Sequence, residues 1–63
     1  MTGPTVDMDG MAVLVVDDDA TLRGLYAELL REQGYRVETA ADGAAAVRAV
    51  RLSRPDLVLM DYE

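Results

Sequence analysis

Two short runs constrain this chain more than any other feature. Ala12 to Val16 (AVLVV) is apolar at every position and β-branched at three, and Leu57 to Met60 (LVLM) is apolar throughout. Uninterrupted apolar runs of this length suit strands buried on both faces, as in a parallel sheet. Each run delivers the chain straight into aspartate: Asp17, Asp18 and Asp19 after the first, Asp61 after the second. A fold built on these runs therefore carries its carboxylates where strands end.

The stretches between the runs have helical period. Leu22, Leu25, Tyr26, Leu29 and Leu30 recur at steps of three and four, whereas Arg23, Glu28, Arg31 and Glu32 fall elsewhere, which predicts an amphipathic helix from about Ala20 to Gln33 with its leucine stripe in the core. Asp19 suits the N-cap and Gly34 the left-handed residue that ends the helix. Tyr35, Val37 and Thr39 then alternate with Arg36 and Glu38, as in a strand with one wetter face or at a sheet edge. Asp42 can cap a second helix whose stripe is Ala46, Val47 and Val50, with Arg48 and Arg51 toward solvent. Pro55 stops that helix and is expected to hold Arg54 in extended geometry. The predicted order is β-α-β-α-β, an α/β fold with a parallel sheet and right-handed crossovers.

If the first and third strands are parallel neighbours, their carboxyl ends share one edge about 4.8 Å apart, which brings Asp17, Asp18 and Asp61 together. Ligands of open α/β sheets bind at that edge. Clustered carboxylates disfavour joint ionisation unless a cation intervenes, and an all-oxygen donor set favours Mg²⁺ or Mn²⁺. Composition narrows the chemistry further. The 63 residues hold twelve acids against six arginines, a net charge of −6, with no His, Cys or Lys. Serine and cysteine triads, disulfides and thiolate zinc sites are excluded. The acidic balance repels nucleic acid and anionic lipid, so neither is an expected partner of this segment, and phosphate chemistry would need a metal. No run approaches the ~20 apolar residues of a membrane-spanning helix. The opening MTGPTVDMDG lacks the basic and apolar regions of a secretory signal, so residues 1–10 read as a loose tail on a cytoplasmic protein.

VLVVDDD, an amphipathic helix ending in QGY, a strand, ADGAAAVRAV and RPDLVLMDYE together resemble the first half of a response-regulator receiver domain. The resemblance covers Ala12 to Glu63 and implies a flavodoxin-like fold, of whose strand order 2-1-3-4-5 this chain would supply the 2-1-3 fragment. It implies that Asp61 accepts a phosphoryl group from a histidine kinase or phosphotransfer protein, which makes the chain a signalling domain rather than an enzyme. It further implies that Asp18 binds Mg²⁺ directly, that Asp17 holds it through water, and that the Glu63 backbone carbonyl is the third protein ligand. The family pattern continues with a fourth strand ending in Ser or Thr and a fifth followed by Lys. Residues 11–63 are accordingly expected to be a truncated receiver domain with impaired phosphoryl transfer.

Two competing readings use other features. Asp17, Asp19 and Thr21 spell DxDxT after an apolar strand, similar to the first motif of haloacid-dehalogenase-type phosphatases, which would make Asp17 the nucleophile and Asp19 the general acid/base. A non-catalytic interaction fragment is the other: the third strand, central in the parent fold, would leave one edge unpaired and open to self-association.

Overall fold

The computed structural model describes residues 10–61. The expected tail therefore lies outside the described residues except for Gly10, as does Glu63. The elements are β1 (Ala12–Val16), α1 (Ala20–Glu32), β2 (Arg36–Ala40), α2 (Gly43–Ser53) and β3 (Leu57–Met60). The sheet order is β2-β1-β3 and both pairings are parallel, with Val13 opposite Val37 and Leu57 and Val16 opposite Ala40 and Met60. This is the three-stranded flavodoxin-like arrangement, and β1, apolar at every position, takes the centre.

The ends of α1 follow from local chemistry. Asp19 is extended at the N-cap, and its side chain accepts from the Thr21 and Leu22 amides at 2.9 and 3.1 Å. At the other end Gly34 has φ 100°, the Gly34 amide donates to the Arg31 carbonyl and the Tyr35 amide to that of Leu30. Those paired bonds form a Schellman motif, which needs the positive φ that glycine supplies without steric cost.

The close of α2 differs from expectation. Arg54, directly before Pro55, is left-handed (φ 50°, ψ 64°) rather than extended, and its amide donates to the Val50 carbonyl. The chain has to reverse within a few residues so that β3 can enter beside β1. That entry is pinned by two bonds, the Asp56 amide to the Ala12 carbonyl and the Ala12 amide to the Asp56 carboxylate, each 2.8 Å. The turn imposes a conformation that costs a non-glycine residue roughly 1–2 kcal/mol.

Val13, Leu14, Val15 and Val16 are all buried. Leu14 and Val16 form one core cluster with Ala40 and Ala46, against which Ala45 and Ala49 of α2 pack. Strand alternation places Val13 and Val15 on the other face, where α1 packs across β1 and β2 and buries Ala27. The leucine stripe of α1 is only partly used. Arg23, Ala27 and Leu30 mark the inward line, and Leu25 and Leu29 on the far side of the stripe are 48% and 51% exposed. They are not core, because α1 packs against β1 and β2, and even Tyr26, which lines a pocket with Leu59 of β3, stays exposed. The apolar β3 is half-exposed along its length, and β1 is its sole strand neighbour among the described residues.

Candidate functional site at the carboxyl edge

The site is built by continuing the ladders one residue past the strands. Beyond the last paired positions, the Asp17 amide donates to the Ala40 carbonyl and the Asp61 amide to the Val16 carbonyl, both at 3.1 Å. Asp17 is therefore tied to β2 and Asp61 to β1. Both line one open cleft of about 410 Å³ together with Asp18 and Asp42. Sequence reasoning brings the first three acids to this edge. It assigns Asp42 only the cap of α2, which the structure bears out with a 2.8 Å bond from the Ala45 amide. The signal for its second position is its place two residues after the end of β2, on the same edge.

Asp17 is the most constrained of these residues. It is 3% exposed, and its Oδ1 accepts from the Asp19 amide at 2.9 Å. Its backbone carbonyl accepts from Arg23 Nη1 at 2.8 Å. Its Oδ2 is buried and has no hydrogen-bond partner among the described residues. A buried carboxylate oxygen left unpaired is costly, and a cation or its water shell would satisfy this one. Asp18 and Asp61 are exposed at the mouth of the cleft.

These donors suit a hard divalent cation that retains most of its water. Among the described residues no group of three or more acidic side chains is arranged to hold a metal ion. Mg²⁺ is commonly bound through one or two carboxylates with waters completing an octahedron, and the cleft offers donors of that kind. The Glu63 carbonyl lies outside the described residues.

Asp19 is separated from this chemistry. Both bonds to its side chain are helix-capping bonds, so the second acid of a DxDxT motif is already engaged in holding α1. The phosphatase reading also leaves Asp61 without a role.

Among the described residues no helix is long and apolar enough to cross a membrane. Residues 13–63 match the response regulator receiver domain family. The chain is 49% identical over 67 residues to the transcriptional regulatory protein PdtaR of Mycobacterium tuberculosis, covering all of this chain and 33% of that protein. It is 42% identical over 55 residues to the probable transcriptional regulatory protein TcrX of the same organism, covering 87% of this chain and 24% of TcrX. With the DNA-binding response regulator MtrA of Mycobacterium leprae it shares 49% identity over 49 residues, 78% of this chain and 22% of that one. The chain thus spans a third or less of the length of these curated relatives. The aspartates at the ends of β1 and β3, the 2-1-3 parallel sheet and these matches place the chain in the response regulator receiver domain family of two-component signalling.

Proposed function

We propose that this chain is a phosphoacceptor module: Asp61 takes a phosphoryl group from a histidine kinase or phosphotransfer protein, assisted by Mg²⁺ or Mn²⁺ that one or two of the carboxylates of Asp17, Asp18 and Asp61 hold directly and the rest through water, with the Glu63 backbone carbonyl as a further ligand. The observation that carries the reading is the buried, unpaired Asp17 Oδ2 in the cleft that Asp61 also lines. An Asp61 carboxylate oxygen attacks phosphorus, the P–N bond to the donor imidazole breaks, and an acyl phosphate forms while the donor nitrogen keeps the electron pair. When bound, the cation supplies positive charge to the phosphoryl oxygens, whose charge in the loose transition state is spread over three positions. The protein's own part is positional. The Asp61 amide bond to Val16 holds the nucleophile at the sheet edge, and Asp17 is fixed through its amide, carbonyl and Oδ1.

The module acts as a phosphoryl acceptor rather than an enzyme with turnover, in the cytoplasm. Its 63 residues contain no lysine, so no lysine ammonium from this segment reaches the phosphoryl oxygens. Incubation with acetyl phosphate and Mg²⁺ should add a phosphoryl mass that hydroxylamine removes. Asp61→Asn should abolish the label and Asp17→Asn should only reduce it. Labelling that persists in Asp61→Asn and disappears in Asp17→Asn would support the phosphatase chemistry instead.

A second reading, compatible with the first, is favoured by one observation. Leu57, Val58 and Leu59 of β3 are 47%, 38% and 41% exposed on a strand whose outer edge faces no further strand among the described residues. An apolar edge of this kind is a template for strand addition, and a second copy of the chain can supply the added strand.

A further inference from the structure

Three of the polar atoms of Asp17 are committed to the protein: its amide to Ala40, its Oδ1 to the Asp19 amide, and its carbonyl to Arg23. The first two bonds are local to the strand end and the turn. The third reaches back from α1, six residues on, and fastens the helix to the strand terminus. Arg23 lies on the inward line of α1, half-buried, and its own amide donates to the Asp19 carbonyl at 2.9 Å. Its backbone and its side chain therefore close the same turn, the one that carries Asp17 and Asp18 into the cleft. A guanidinium suits this place because it stays charged and presents several donors in a fixed fork, so one can hold a carbonyl while the others meet water.

We infer that Arg23 is a positioning residue for the phosphoryl-accepting site, holding the β1–α1 turn so that Asp17 and Asp18 present their carboxylates to a divalent cation. The inference rests on the reading of the cleft as a cation site. Its sign separates it from simple electrostatics. Removal of a positive charge from beside an acidic cleft should, by charge alone, tighten cation binding; loss of the turn's fastening should weaken it.

The test is titration of the full chain with Mn²⁺, following paramagnetic broadening of folded-state amide resonances near Asp17, Asp18 and Asp61, so that only folded molecules are read. Arg23→Met should require about tenfold to a hundredfold more Mn²⁺, the effect of one charge-assisted hydrogen bond, and Arg23→Lys should recover most of the affinity. Unchanged or tighter binding in Arg23→Met overturns the inference and leaves the cation site standing. Absence of selective broadening in the unsubstituted chain overturns the cation reading, and the inference falls with it. Where Arg23→Met gives no folded resonances, the unsubstituted chain decides. Mg²⁺ should shift the Arg23 guanidinium resonances with the same midpoint as the Asp17 amide, and guanidinium signals indifferent to saturating Mg²⁺ overturn the inference.

Discussion

Asp17→Asn should stabilise the cation-free protein and weaken its response to Mg²⁺. In the folded chain Asp17 is 3% exposed with Oδ2 unpartnered among the described residues, whereas Oδ1 is held by the Asp19 amide. Asparagine keeps the accepting oxygen and exchanges a buried unpaired charge for a buried unpaired neutral amide. An unsatisfied neutral group costs about 1–3 kcal/mol and a charged one more, so the substitution is worth roughly 1–2 kcal/mol. For a domain of this size that corresponds to a rise in Tm of about 8–15 °C. Mg²⁺ at ten times its Kd should stabilise the unsubstituted protein by about 1.4 kcal/mol, and the variant by clearly less at the same concentration. Cores below about 70 residues rarely supply more than 3–5 kcal/mol, so both effects are a large share of the total and easily read. Urea unfolding followed by far-ultraviolet circular dichroism, for both proteins with and without Mg²⁺, gives the four required values. A variant no more stable than the parent without Mg²⁺, or one that Mg²⁺ still stabilises as strongly, would refute the assignment of Asp17 Oδ2 to the cation.

Arg54→Gly should raise stability by about 0.5–1 kcal/mol in the same melts, since it relieves a left-handed residue at φ 50° at the smaller entropic cost of glycine; a loss of stability would mean that the Arg54 side chain contributes more than its backbone strain costs. Sedimentation velocity across the micromolar range should show mass increasing with concentration, and Leu57→Lys, which places a charge on the outer strand, should shift the protein to monomer. Identical mass distributions for the two proteins would exclude association through β3.

Much of this protein is legible in its residues one element at a time. AVLVV before three aspartates announces a buried strand that ends in charge, and Asp19, Gly34 and Asp42 mark helix ends that the hydrogen bonds bear out. These signals are local, because capping and periodicity depend on residues within one or two turns of each other. The candidate site is legible to the same depth: aspartates that end parallel strands must meet at one edge, and Asp17, Asp18 and Asp61 do line one cleft.

What escaped the sequence depends on contacts between elements. The α1 stripe is continuous in the residues, yet none of it is fully buried: the helix rests on β1 and β2 through Ala27, Leu22 and Leu30 are partly covered, and Leu25, Tyr26 and Leu29 stay exposed. The proline rule for Arg54 is a local preference, and the need to bring Asp56 against Ala12 overrides it. Nothing in the spacing of Arg23 shows that its guanidinium reaches the Asp17 carbonyl, or that one oxygen of Asp17 is capped while the other is buried without a partner among the described residues. The sequence by itself determined the order of elements, their caps and the edge that carries the acids, because these follow from backbone preference and side-chain period. Tertiary structure alone decided which faces are covered and which polar atoms are satisfied, because burial and hydrogen bonding are settled by where neighbouring elements come to rest.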